Sequence, residues 1–330
     1  MKCAVMGAGA WGTALANLLA ENGHEAAIWS FEEDVADSIS TSHENPRFLP
    51  GVALHPGIRA SHDKSDVLAG TEFVVLASPS QVLRSVVHDC VGIVGPDATI
   101  VVATKGIERQ TLELMTDVAA AEFPGRPIVA LSGPSFAAEV AARQPTAIVA
   151  ASVSPAAAAR AQDAFSSPSF RVYTHDDVVG VELGGALKNV MAVATGISDG
   201  LGLGFNARAA LMTRGLAEIT RLGVKLGARQ STFAGLAGFG DLVLTCTGAL
   251  SRNRAVGLEI GRGRALADVL AGRETVAEGV TTTESAKALA EREGVDMPIV
   301  TAVHRILFER QPARWALVEL MARDLRSEED

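Results

Sequence analysis

At 330 residues the chain is about twice the usual single-domain length, so two domains are expected, each able to bury its own core. Hydrophobic residues make up 48% and charged residues 20%, with 32 glycines against 13 prolines, a globular composition that excludes a disordered chain. Lysine and arginine total 29 against 38 acids, and a net charge of -9 repels a phosphate backbone, so nucleic acid is not an expected partner.

The chain opens on Lys2 to Met6, a short apolar run without the charged leader, longer apolar core and small-residue cleavage site of a signal peptide. Further runs of four or five residues follow at Ala26–Trp29, Phe73–Ala77, Ile100–Thr104, Ile128–Leu131, Ala147–Ala150 and Phe170–Thr174. Apolar runs of that length suit strands buried on both faces of a parallel sheet. Between them lie helix-like stretches such as Thr13–Asn22, closed by Gly23, and Gln81–Val91, closed by Gly92. The pattern is βαβ repeated, hence an α/β fold with an open sheet. From about Val178 the strand signal stops, and alanine, leucine, glycine and charged residues recur at helical spacing. The expected division is a dinucleotide-binding domain over 1–179 and a mostly α-helical substrate domain over 180–330. No apolar run reads as long enough to span a membrane, so no membrane insertion is expected. Cys3, Cys90 and Cys246 fit neither a disulfide framework nor a zinc site, and the seven histidines show no metal spacing. A reducing cytoplasm is the natural compartment, and no metal is expected.

Several short motifs carry chemistry. Gly7-Ala8-Gly9-Ala10-Trp11-Gly12 is a GxGxxG run after the first strand and before a helix, where glycine allows a tight turn and close approach to a pyrophosphate. Thr104-Lys105-Gly106 and Ser132-Gly133-Pro134-Ser135 end the fourth and fifth strands, the edge at which open sheets bind ligands. A solvated lysine and a plain turn are the competing readings there. Lys188 and Asn189 lie in a small-residue, helix-like stretch, where the lysine must either snorkel to water or be buried with a partner. Asp241 and Thr245 share a helix face, although Asp241 after a glycine would also serve as a cap. Ser251-Arg252-Asn253-Arg254 places a cap and two arginines at a helix start, which is either an anion site or a basic turn. His88-Asp89 reads as a surface pair.

Together these blocks resemble the bacterial NAD(P)-dependent glycerol-3-phosphate dehydrogenase family. The resemblance runs through GAGAWGTALA from residue 7, NGHE from 22, ATKGIE from 103, LSGPSFAAEV from 131, VELGGALKNVMAVATGISDG from 181, NARAALMTRGLAEITRLG from 206 and GFGDLVLTCTGALSRNR from 238. It implies a Rossmann-type domain followed by a helical one, and reduction of dihydroxyacetone phosphate to sn-glycerol 3-phosphate for glycerophospholipid synthesis. By matching position it implies Lys188 as proton donor or acceptor, with Lys105 and Asp241 as companions and Gly133, Ser135 and Thr245 in the same pocket. Ser251, Arg252 and Asn253 match the substrate-phosphate clamp. Gly7, Gly9, Ala10, Trp11, Gly12, Ser30, Phe31, Lys105, Ala137, Arg252 and Glu278 fall where the family contacts the dinucleotide. A homodimer is also implied.

Ala10 stands where serine is common, and Ser30-Phe31-Glu32-Glu33-Asp34 lacks the arginine or histidine of many relatives. Ser30 neither repels nor neutralises a 2′-phosphate and could accept one through its hydroxyl and N–H. Use of both NAD and NADP is therefore expected, with a modest preference for NADPH that the resemblance, more than this loop, implies. A lysine near its ordinary value of ~10.4 supplies the ammonium needed for reduction, while oxidation needs the free amine and should improve at alkaline pH. Two other readings remain: a dehydrogenase of a different phosphorylated or carboxylated hydroxy substrate, and a dinucleotide-sensing regulator without turnover.

Overall fold

The computed structural model describes residues 1–272, 277–325 and 327. The first half runs β1 (Lys2–Met6), α1 (Ala10–Glu21), β2 (Glu25–Trp29), α2 (Glu33–Ser42), β3 (Glu44–Asn45), β4 (Leu49–Ala53), β5 (Arg59–Ser61), α3 (Lys64–Leu68) and β6 (Phe73–Leu76). It continues through α4 (Leu83–His88), β7 (Thr99–Val102), α5 (Met115–Glu122), β8 (Ile128–Ser132), α6 (Ala137–Ala141), β9 (Thr146–Ala151), α7 (Pro155–Phe165) and β10 (Phe170–His175). Helices then take over: α8 (Val178–Gly200), α9 (Phe205–Lys225), α10 (Gln230–Phe233), α11 (Asp241–Thr247), α12 (Arg252–Gly261), α13 (Leu266–Leu270), α14 (Glu278–Glu293), α15 (Pro298–Phe308) and α16 (Ala313–Met321).

Eight strands form one sheet in the order β10-β9-β8-β7-β6-β1-β2-β5. Strand β1 pairs in parallel with β2 on one side and β6 on the other, so the strand order reverses between β1 and β6. That reversal opens the crevice in which such sheets bind ligands. Leu15, Leu19, Phe73 and Phe165 fill one core cluster against the sheet, and Leu76, Leu83 and Val118 another.

The sheet departs from the all-parallel expectation. Strand β9 runs antiparallel to β8, with Leu131 opposite Ala150, and β10 follows β9 in parallel. An apolar run reads alike in either direction, so direction was hidden in the sequence. The short strands β3, β4 and β5 gave no apolar signal. The expected helix over 81–91 is a 3-10 turn at Ser80–Val82 followed by α4, and the Gln81 side-chain amide donates to the Ile107 carbonyl at 2.9 Å. His88 and Asp89 do not pair with each other: His88 bonds Glu122 at 3.0 Å and Asp89 bonds Lys64.

Helix α8 is the spine of the second half, with Leu183, Leu187, Val190 and Met191 at the centre of its core. Contrary to expectation, this helix is long and apolar enough to cross a membrane, but 89% of its apolar window is buried against the rest of the protein. Its hydrophobicity is that of a core element surrounded on all sides. The two halves are joined by polar contacts as well as apolar ones. Glu182 of α8 accepts hydrogen bonds from the Thr116 backbone N–H (2.9 Å) and hydroxyl at the start of α5.

Candidate active site

The glycine-rich turn follows β1 at the switch point. Gly7 has φ +124°, and a Cβ added there would lie 2.9 Å from the Ser78 nitrogen. A Cβ at Gly12 would meet the Gly7 carbonyl oxygen at 1.9 Å, so this turn closes only with glycine at both positions. Gly9, by contrast, faces open space, and α1 starts there without a side-chain cap. Uncapped N–H groups beside an open backbone form a ready cradle for a pyrophosphate. The Trp11 indole N–H is buried without a partner in the protein, a donor left for a ligand. These features fit a dinucleotide, with Gly7, Gly9, Ala10, Trp11 and Gly12 as its cradle.

Across the crevice three charged side chains converge. Lys105 leaves the end of β7, Lys188 lies in the middle of α8, and Asp241 opens α11 just after a π-helical turn at Leu236–Gly240. Lys105 Nζ donates to Asp241 Oδ2 at 2.6 Å and to the Gly133 carbonyl at 3.1 Å, while Lys188 Nζ donates to Asp241 Oδ1. Asp241 is fully buried and Lys188 is 8% exposed. Burial so disfavours the ammonium that the Lys188 pKa falls to about 8, with Asp241 opposing that shift and Lys105 adding to it. The expectation of an unperturbed lysine is thereby corrected: burial lowers Lys188 from its ordinary value. Asp241 is not a helix cap, since Gly240 holds that position and the Asp241 carboxylate faces the two lysines. Thr245, one turn later, turns its hydroxyl back to the Asp241 carbonyl at 2.7 Å and its carboxylate at 3.4 Å.

The start of α12 lies next to this cluster. Ser251 caps the helix by accepting from the Arg254 N–H at 3.3 Å. Asn253 donates to Asn189 Oδ1 at 2.9 Å, tying the helix start to the residue after Lys188, and accepts from the Gly279 N–H at 2.9 Å. The two arginines of the motif differ. Arg254 is neutralised by Asp199, whereas Arg252 has no carboxylate at ion-pair distance among the described residues. In the expected anion site Arg252 is thus the arginine without a close ion pair, its charge felt only by the carboxylate of Glu278 among the described residues. Glu278, at the start of α14, accepts from the Ser80 N–H (3.1 Å) and hydroxyl (2.5 Å) across the crevice, and its pKa is raised by burial.

The other sequence-derived candidates are less uniform. Ser135 is half-buried, with its hydroxyl donating to the Gly133 carbonyl at 3.0 Å, and Ala137 is the first residue of α6. Phe31 is 82% exposed beyond β2. Ser30 does not fulfil its expectation. It is fully buried, its N–H is committed to the Ser61 carbonyl at 3.1 Å, and its hydroxyl lies 3.4 Å from a Glu32 carboxylate oxygen. Neither group is free for a 2′-phosphate. Sequence reasoning missed Ser80, which no motif marks, and named Ser132 only as part of a strand-end turn. Ser132 is buried without a partner on the Lys105 side of Gly185, one helical turn before Lys188. Its place at the end of β8 was the available signal.

An uncapped glycine turn at a strand switch point, facing a buried lysine pair on one carboxylate, defines a two-part nicotinamide-dependent dehydrogenase. The comparisons with known proteins agree. Residues 2–158 match the model of the NAD-dependent glycerol-3-phosphate dehydrogenase N-terminus, and residues 177–318 match that of its C-terminus. A glycerol-3-phosphate dehydrogenase (NAD(P)+) of Geobacter sulfurreducens is 55% identical over 330 residues, covering 99% of this chain and 98% of its own. One of Myxococcus xanthus is 50% identical, with 99% of both chains covered. The crystal structure of glycerol-3-phosphate dehydrogenase from Coxiella burnetii superposes with a TM-score of 0.94 at 40% identity, covering 97% of this chain and 98% of that one. The protein belongs to the NAD-dependent glycerol-3-phosphate dehydrogenase family.

Proposed function

We propose that the protein catalyses reversible reduction of dihydroxyacetone phosphate to sn-glycerol 3-phosphate with NADH or NADPH. The observation that carries this reading is Asp241, shared by Lys188 and Lys105 beside a helix start that bears Arg252. The nicotinamide, when bound, supplies or accepts the hydride. Lys188 donates its proton to the oxygen on which negative charge grows during reduction, and Lys105 stabilises the same charge. Asp241 holds both ammonium groups in place, with Thr245 bracing its carboxylate. Ser251, Arg252 and Asn253 bind the substrate phosphate, and Gly133 and Ser135 line the pocket beside Lys105. Gly7 to Gly12, Ala137 and Glu278 attend to the cofactor, with Phe31 at its adenosine end.

The boundary near 179 is supported by the start of α8 at Val178 and by the separate spans of the two family models. A homodimer accords with the exposed Trp315, Val318 and Met321 along α16, an apolar strip that a second copy would cover. Supply of glycerophospholipid synthesis follows from the family reading alone, while a reducing cytoplasm accords with three buried free thiols. On cofactor choice, the NADPH expectation rests mainly on the family resemblance, and the buried Ser30 adds nothing to it. Glu32 next to it would accept ribose hydroxyls and repel a 2′-phosphate, so both cofactors are used and NADH is favoured.

The direct test is loss of NADH absorbance on adding dihydroxyacetone phosphate but not dihydroxyacetone. Equal rates with both would remove the phosphate from the reading. In the same assay Lys188→Ala should lower kcat by a factor on the order of 10² or more while NADH binding persists. Near-normal turnover in that variant would move the proton donor to Lys105.

A further inference from the structure

Helices α8 and α12 touch backbone to backbone. A Cβ added at Gly196 would lie 2.2 Å from the Arg254 carbonyl oxygen, one at Gly200 2.3 Å from that of Leu258, and one at Gly257 2.1 Å from that of Val193. Beside this seam Val193 and Ile197 of α8 share one core cluster with Val256 and Ile260 of α12. Polar ties add to the register that this packing sets. One tie is Asn189 with Asn253 at the site itself. The other lies in the last turn of α8, where the Asp199 side chain is 8% exposed and its carboxylate is gripped by two guanidinium groups. Arg254 donates Nε to Asp199 Oδ2 at 2.9 Å and places its Nη2 at 2.7 Å. Arg208 of α9 donates to Oδ1 at 2.6 and 3.1 Å. Arg254 also gives its backbone N–H to the Ser251 cap, so a single residue connects Asp199 to the start of α12.

We infer that Asp199, acting through Arg254, is a positioning residue that fixes α12 along α8 and so sets the span between Lys188 and the phosphate-binding helix start. The inference rests on the proposal that Ser251, Arg252 and Asn253 bind the substrate phosphate. Asp199 lies eleven residues beyond Lys188, about 16 Å along the helix, too far to touch the reacting carbonyl. Its effect falls on how well the phosphate anchor and the lysine pair suit one substrate at once.

The test uses Asp199→Asn in the full chain, with steady-state kinetics on dihydroxyacetone phosphate. KM for this substrate should rise about 10-fold or more while kcat stays within about 3-fold, since phosphate binding is lost and the proton donor is kept. The slow rate with unphosphorylated dihydroxyacetone should not change. Arg254→Gln should reproduce the KM effect, and the double variant should be no worse than either single one. If Asp199→Asn fails to fold, Arg254→Gln with the same readouts carries the test. A wild-type KM in the folded variants, additive effects in the double variant, or equal damage with both substrates would overturn the role of Asp199. A wild type indifferent to the substrate phosphate would instead sink the phosphate reading on which it rests.

Discussion

Lys188 carries the sharpest consequence for pH. With its pKa near 8, the free amine needed for glycerol 3-phosphate oxidation accumulates as pH rises through that value. The kcat/KM for oxidation should therefore climb below about pH 8 and level above it, whereas reduction should fall above it. An ordinary lysine would place both breaks near ~10.4. Asp241 raises the Lys188 pKa, so Asp241→Asn should move the break below 8 as well as slowing turnover. A pH profile with the same break in both proteins would show that another group titrates. At the adenosine end, wild type should use NADH more efficiently than NADPH, and Phe31→Arg should narrow that ratio by supplying a cation for the 2′-phosphate. An unchanged kcat/KM ratio in Phe31→Arg would mean that this loop does not read the adenosine ribose.

Among the elements, α5 depends on a carboxylate from the other half of the chain. Glu182 bonds the Thr116 N–H and hydroxyl, and its pKa is pushed up to about 7 by burial. Glu218 does the same for α15 through the Ile299 N–H at 2.7 Å, and burial raises it to about 7 as well. For a carboxyl whose folded pKa lies above its unfolded value near ~4.3, stability is greatest below the unfolded value and is lost as pH rises through the folded one. Thermal stability should therefore decline between about pH 5 and 8. Glu182→Gln, whose amide oxygen still accepts the Thr116 N–H, should flatten part of that decline in a series of Tm measurements. Parallel Tm curves for wild type and variant would exclude Glu182 as a source. Glu182→Ala, which leaves both Thr116 donors buried and unpaired, should cost about 1–3 kcal/mol.

These ties also mark the limit of what the sequence disclosed. Strands such as Phe73–Leu76 and the turn at Gly7 to Gly12 were legible because burial on two faces and a closed glycine turn leave local signatures. Lys188, Lys105 and Asp241 were legible as candidates, but their convergence on one carboxylate was not, because it joins residues up to 136 positions apart. Arg252 and Arg254 looked equivalent until Asp199 claimed one of them. Ser30 looked available until its N–H was found in the sheet edge.

For the molecule as a whole, the crevice lies between a sheet and a helical body joined by polar bridges, among them Ser80 with Glu278 and Arg109 with Glu284 at 3.1 Å. A dinucleotide bound there stabilises the folded chain by mass action, about 2.7 kcal/mol at one hundred times its Kd. NADH should therefore raise Tm in a concentration-dependent way. The increase should persist in Lys188→Ala, which lacks the proton donor but keeps the Gly7 to Gly12 cradle. No increase in either protein would place the dinucleotide elsewhere.

The reversed pair β9 and β10 does more than widen the sheet. Had both run parallel to β8, the chain would have left β10 at the ligand edge. Instead His175 ends beside the Ser152 N–H and Ser152 reaches the Ile128 carbonyl, all at the opposite edge. Helix α8 therefore starts at the base of the sheet and climbs beside β8, with Val181 in one cluster with Ala130 and Gly185 against Ser132. Ten residues of helix rise about 15 Å, close to the length of a five-residue strand. The ascent acts as a ruler that lifts Lys188 to the rim where Lys105 waits. One residue inserted between Val181 and Lys188 would turn the lysine by about 100° and raise it one step, uncoupling the proposed proton donor from a sheet that still folds.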